Sequence, residues 1–190
     1  MNDLRLAVIL GSTRPGRNGE AVVQWVMEQA SRRSVPYELI DLREHPLPLL
    51  DEPIPPSQGQ YSKDHTKAWA NTIAGYDGFV FVSPEYNHST SAALKNALDF
   101  LYAEWNNKAA AFVAYGSAGG VRAVEHLRAI SSELQMAHVR QQLAFSLHTD
   151  FENFTTFKPD PMHEDLAEQM FTQLETWAGA LKTVRLAPVG

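Results

Sequence analysis

Residues 6–19 read LAVILGSTRPGRNG, and this stretch decides the fold. Apolar residues Leu6 to Leu10 stop at Gly11, and a polar loop follows: Ser12-Thr13-Arg14-Pro15-Gly16-Arg17-Asn18. Gly19-Glu20-Ala21-Val22-Val23-Gln24-Trp25-Val26 then opens a helix. The order is strand, loop, helix. A helix N-terminus leaves backbone N–H groups unpaired, and its dipole favours an anion. The loop adds two hydroxyls, two guanidiniums and three glycines, Gly11, Gly16 and Gly19. Arginine presents a planar donor fork that suits phosphate oxygens. The stretch reads as a seat for a phosphate monoester, where the plainer alternative is a strand–helix turn with solvated arginines. Two sharper readings fail. Gly11 to Gly16 has P-loop spacing, but Arg17-Asn18 stands where Lys-Ser/Thr is required. The dinucleotide fingerprint needs a second glycine at position 13, which is Thr13.

The 190 residues suit one domain with a sizeable core. Sixteen basic and 22 acidic residues give a net charge of −6, which argues against a nucleic-acid-coating surface. Cysteine is absent, which excludes disulfides, thiolate catalysis and Cys-ligated metals. No apolar run approaches the ~20 residues that span a bilayer. Asp3 and Arg5 lead straight into a strand, unlike a signal peptide. The expectation is a cytoplasmic protein without a membrane or nucleic-acid partner.

Outward from the opening stretch, apolar runs predict strands over 4–10, 36–42, 77–83, 108–115 and 139–147, the second nearest an edge. Three-four spacing predicts helices over 19–33, 62–74, 91–105, 121–136 and 163–184. The helix over Ser91–Trp105 carries an apolar stripe wider than one core face needs, so part of it is expected to face a partner subunit. The last helix sets Leu166, Met170, Leu174, Trp177 and Leu181 on one face. Five of the eleven prolines (Pro46, Pro48, Pro53, Pro55, Pro56) fall in residues 43–61, which neither helix nor strand survives. Leu47, Leu49 and Leu50 in that loop call for burial. Residues 148–162 read as a polar and aromatic loop.

Strands alternating with helices predict a parallel sheet covered on both faces, with ligands beyond the C-terminal strand ends. With strand order 2-1-3-4-5 the loops after strands one, three and four converge. The second of these is Pro84-Glu85-Tyr86-Asn87-His88-Ser89, a flat aromatic and polar groups on a stiff turn. The third, Gly116-Ser117-Ala118-Gly119-Gly120, lets a flat ligand come close to backbone. A flat heterocycle with a phosphorylated tail fits all three, and FMN matches better than a dinucleotide.

GSTRPGRNG, then SPEYNHS before SAALKNALDF, then YGSAGG, resembles the NADPH-dependent FMN reductase family of flavodoxin-like flavoproteins, over about Leu6 to Leu134. The resemblance implies a flavodoxin-like three-layer sandwich with a five-stranded parallel sheet. It implies FMN as cofactor, NADPH or NADH as reductant, and a small electron acceptor such as a flavin, quinone, azo compound or metal oxyanion. It assigns the FMN phosphate to Ser12, Arg14 and the segment Arg17, Asn18, Gly19, Glu20, with the backbone of Gly19 to Ala21 standing where many members carry a hydroxyl. It assigns the isoalloxazine ring to Pro84, Glu85, Tyr86 and Asn87. Its pyrimidine edge goes to Ser117, Ala118, Gly119 and Gly120, where the N–H groups of Gly119 and Gly120 face developing charge. It also implies a homodimer or tetramer through the helix after the PEYN turn. The chemistry belongs to the flavin, so no side chain is assigned as acid or base.

Other constellations are weaker. His163-Glu164 lacks the second histidine of a zinc motif, and Ser117 has Tyr115 where a nucleophile elbow requires glycine. Two rival functions remain open at this point: an FMN electron carrier that meets a protein partner, and a redox sensor without NAD(P)H turnover.

Overall fold

A computed structural model describes residues 3–187. The main sheet holds β1 (Leu6–Leu10), β2 (Tyr37–Asp41), β3 (Gly78–Pro84), β4 (Ala109–Gly116) and β5 (Ala137–Ser146), all parallel, in the order β2-β1-β3-β4-β5. This is the predicted order. The residues of β1, β3 and β4 are buried along their whole length, as expected for strands covered on both faces. At the edge, Glu38 and Leu39 of β2 are exposed.

The helices are α1 (Gly19–Ser31), α2 (Asp64–Ala74), α3 (Ala92–Asp99), α4 (Val121–Glu133) and α5 (Met162–Leu186). Side-chain alternation sorts them into two layers. Val8, Leu10, Val80, Val82, Val113 and Tyr115 face a core closed by α1 and α5. Ile9, Phe79, Phe81 and Phe112 face the opposite core, closed by α2, α3 and α4. No helix among the described residues is long and apolar enough to cross a membrane.

Four expectations need correction. The helix predicted over Ser91–Trp105 ends at Asp99. Its last carbonyls are taken by two indoles, Trp69 Nε1 on Ala97 (2.8 Å) and Trp105 Nε1 on Leu98 (3.2 Å). The chain then turns and sinks Phe100, Leu101 and Trp105 into its own core, so the wide stripe is no evidence for a partner. Trp177, placed on the inward face of the last helix, is 48% exposed, and the core position beside it is Ala178. Residues 148–162 contain a small antiparallel hairpin, β6 (Phe151–Glu152) with β7 (Thr156–Phe157). Phe151 and Phe157 pack there around Phe145 and Trp25. Leu47 packs against the core as required, but Leu49 is 83% exposed and Leu50 42%.

Candidate functional site

The three loops meet at the C-terminal edge of the sheet. The first is anchored by Gly11, whose N–H donates to Val82 O (2.8 Å) and whose carbonyl accepts from Ser91 Oγ. A Cβ on Gly11 would lie 2.9 Å from Leu94, so only glycine lets the loop leave β1 at this closeness. Ser91 also caps α3, accepting from Leu94 N at 3.1 Å. One hydroxyl thus ties the first loop to the segment after the second.

Within the first loop the three arginines in reach have different duties. Arg17 is buried and grips the Asp41 carboxylate at the end of β2 (Nη1 to Oδ1, 2.8 Å), with further bonds to Glu20 (3.2 Å) and the Ser12 carbonyl. The Asp41 bond holds the Arg17 guanidinium above its ordinary value. Burial pushes the Asp41 carboxyl up, and Arg17 outweighs it, so that group sits below its ordinary range. Arg43 donates to Glu20 (2.7 Å) and to the Arg14 carbonyl (2.6 Å). Arg17 and Arg43 therefore shape the loop. Arg14 is exposed, and its guanidinium makes no hydrogen bond or ion pair among the described residues. Asn18 turns outward, its Nδ2 donating to Phe154 O (2.8 Å) at the tip of the β6–β7 hairpin.

No side chain caps α1, and the N–H groups of Gly19, Glu20 and Ala21 find no acceptor among the described residues. Ser12 is fully buried, with its hydroxyl 3.2 Å from Tyr86 Oη. Tyr115 reaches the same place from β4. A Cβ on Gly19 would come within 2.7 Å of its hydroxyl, and that hydroxyl is buried without a partner among the described residues. Burial raises the Tyr115 phenol, as does the neighbouring Tyr86, while Ser12, Arg14 and Arg17 pull it down. Ser12 nevertheless forms its hydrogen bond to Tyr86 and none to Tyr115.

The second loop is a two-residue turn. Tyr86 and Ser89 exchange both backbone bonds (2.9 and 3.0 Å), with Asn87 and His88 at φ 48° and 68°. Paired left-handed residues define a type I′ turn, unusual when neither is glycine. The turn presents Tyr86, 38% exposed, at the mouth of the site. Glu85 points the other way. Its carboxylate accepts from the N–H groups of Arg122 (3.1 Å) and Ala123 (3.4 Å) and from Arg122 Nε (2.6 Å), closing the N-terminus of α4. Burial raises the Glu85 carboxyl, but the bonds from Arg122 and Ala123 outweigh that and leave it below its ordinary value.

In the third loop Gly119 and Gly120 are left-handed, at φ 69° and 75°. A Cβ on Gly120 would lie 2.5 Å from Ala114 Cβ and 2.8 Å from Tyr115 N. Gly119 N–H is spent on Gly116 O (3.0 Å), so the pair of donors expected at Gly119 and Gly120 is reduced to Gly120. Ser117 and Ala118 are exposed beside it.

The loops are thus brought together by Ser12–Tyr86, Ser91–Gly11 and Glu85–Arg122. Sequence reasoning missed Tyr115, Asp41, Arg43 and Arg122. Tyr115 alone carried a signal: a phenol at the last inward position of a central strand, just where the ligand loops begin.

The family model for NADPH-dependent FMN reductase matches residues 4–150. The chain belongs to that family. It is 42% identical over 149 residues to an NAD(P)H-dependent FMN reductase of Schizosaccharomyces pombe, covering 77% of this chain and 74% of the relative. An NAD(P)H:quinone oxidoreductase of Solanum tuberosum is 33% identical over 144 residues, covering 73% and 72%. Among solved structures, the flavoenzyme NAD(P)H:(acceptor) oxidoreductase FerB of Paracoccus denitrificans superposes with a TM-score of 0.72, covering 93% of this chain and 98% of that one. At 18% identity that likeness speaks for the fold.

Proposed function

We infer that this family member is an NAD(P)H-dependent FMN oxidoreductase built as one FMN-binding unit across the chain. The observation that carries the reading is the uncapped N-terminus of α1. The loop before it carries Arg14, whose guanidinium makes no hydrogen bond or ion pair among the described residues. Tyr115, which leads into the glycine loop, reaches Gly19 at its start. These groups fit FMN. Ser12, Arg14 and the N–H groups of Gly19, Glu20 and Ala21 would hold its phosphate, on a loop shaped by Arg17 and Asn18. Pro84, Tyr86, Asn87 and the backbone of Glu85 would border the ring, the Glu85 carboxylate being held by Arg122 and Ala123, and Ser117 to Gly120 its pyrimidine edge. The chemistry FMN supplies when bound is acceptance of hydride from reduced nicotinamide and release of two electrons to a small acceptor.

The chain's own part is positional. Arg17 and Arg43 fix the carbonyls of Ser12, Thr13 and Arg14, so that the loop's N–H groups are set before a ligand arrives. Tyr86, held on a strained turn, offers a wall to flat ligands. The acceptor class includes quinones, as the potato relative's name supports, and free flavin. A cytoplasmic homodimer completes the proposal. The cysteine-free composition suits a reducing compartment. Support for the dimer comes from exposed Leu49 and Leu50, held on α3 by Asn96, which bonds Pro48 O (2.7 Å) and Leu50 N (3.0 Å).

The test is the visible spectrum of the protein reconstituted with FMN, recorded without oxygen before and after NADPH. Bound flavin that bleaches is the expected result. Bound flavin that stays yellow overturns the enzyme reading in favour of a carrier or sensor, and failure to bind FMN overturns the cofactor assignment.

A further inference from the structure

We propose that the Tyr115 hydroxyl donates a hydrogen bond to the phosphate monoester at the N-terminus of α1, and so selects phosphorylated over unphosphorylated flavin. The proposal rests on the FMN reading and adds to it a residue that lies outside all three loops.

Tyr115 sits on β4 among Leu10, Val113 and Phe151, 5% exposed, where phenylalanine would fill the same space. Its hydroxyl is buried and bonded to nothing among the described residues. A buried hydroxyl that has lost water and gained no partner destabilises the fold, so native proteins rarely keep one without a ligand to complete it. The direction of the side chain supplies the ligand's place. The hydroxyl touches Gly19, the first residue of α1, from beneath. Glycine there is what admits it, since any β-carbon would collide.

Everything else around that point favours an anion. The first three N–H groups of a 13-residue helix are open. Arg14 is unpaired, while the acidic neighbours Glu20 and Asp41 are already neutralised by Arg17 and Arg43. Ser12 and Tyr115 are the two buried hydroxyls at the cradle's floor. A phosphate dianion has acceptors enough for all of these donors. Riboflavin ends in a neutral hydroxyl and cannot use them in the same way.

The experiment compares wild type with Tyr115→Phe as apoproteins. Flavin fluorescence is titrated with FMN and with riboflavin, and thermal melting is followed with and without inorganic phosphate. The expected result is an FMN affinity lowered about tenfold or more, an unchanged riboflavin affinity, and an apo Tm equal to or above wild type. Unchanged FMN affinity overturns the proposal. Equal weakening for both flavins also overturns it, since Tyr115 would then shape the ring pocket instead. If wild type binds no FMN, the cofactor reading fails separately. The phosphate arm then decides: a phosphate-induced Tm rise present in wild type and lost in the variant sustains the proposal, and its absence in wild type ends it. Should Tyr115→Phe not fold, Tyr115→Met removes the hydroxyl with a more adaptable side chain, and the same selective loss is expected.

Discussion

Helices α1 and α4 begin alike and end up with opposite roles. Each has 13 residues, and each follows a loop carrying glycines at the C-terminal end of a central strand. Both N-termini therefore present the same partial positive charge toward the site. At α4 the protein answers it: Glu85 reaches from the second loop and bonds two N–H groups and Arg122. At α1 no side chain among the described residues answers it, and the buried Tyr115 hydroxyl touching its first residue has no partner among them either. An N-terminus the protein has closed is structural; the open one, preceded by a loop whose Arg14 guanidinium has no partner among the described residues, is where we propose that an anion binds. The ring side of the site is thereby left neutral, and the charge is concentrated where a phosphate would sit.

The largest effect that sharpens this contrast is expected at Gly120, the N-cap of α4. It is left-handed, and an added β-carbon would meet both Ala114 and the backbone of Tyr115. Gly120→Ala should cost about 3 kcal/mol, from backbone strain plus overpacking, measured by urea unfolding of the apoprotein. Since Glu85 closes the N-terminus of α4, the remaining folded variant should lose ring contact and keep its phosphate-induced stabilisation. Loss of the phosphate response as well would mean the two helix ends are not independent.

Glu85→Gln comes next and opens α4 directly. The carboxylate side chain is 6% exposed, and replacing its charge weakens three bonds at once. The expected cost is about 2 kcal/mol. The sign with pH follows from its depressed value. Glu85 stabilises the fold fully above the ordinary carboxylate value of 4.5, and that contribution is lost as pH falls through the lower folded value. Wild-type stability should therefore fall more steeply than that of Glu85→Gln below pH 4.5. Parallel profiles would show that α4 does not need its carboxylate.

Much of this was legible in the sequence, and the parts that were not share a cause. Apolar runs and their spacing determine strands and helix faces; the right-handed crossover rule only narrows the order of the sheet, and the order 2-1-3-4-5 comes from the likeness to flavodoxin-like proteins. The glycines and the turn PEYN were readable because they answer to backbone geometry, which is local. Roles that depend on which charge meets which were hidden. Arg14 and Arg17 look equivalent in the chain, yet Asp41, 24 positions away, consumes Arg17, while the Arg14 guanidinium has no partner among the described residues. Glu85 resembles a ligand contact until Arg122, 37 positions away, claims it. The end of α3 was misread for a related reason: Trp69 and Trp105 satisfy its carbonyls through indole N–H groups that periodicity does not register.

The smallest effect tests a third helix start. Glu52, in the proline-rich loop, accepts from the N–H groups of Ser62 and Lys63 (both 2.9 Å) and from Ser62 Oγ (2.8 Å), just before α2. Burial raises its carboxyl, but the N–H bonds of Ser62 and Lys63 outweigh that and hold it at about 2. This latch is complete above the ordinary value of 4.5 and is released as pH falls toward 2. Hydrogen exchange at Ser62 and Lys63, corrected for the intrinsic rate, should accelerate over that interval while the buried strand β3 stays protected. Glu52→Gln should exchange at one level throughout. The change is expected to be local because the latch is near the surface and joins only a loop to a helix entrance. Global unfolding over the same interval would place the proline-rich loop within the cooperative fold, and α2 would then belong with α4 as an end the protein must close.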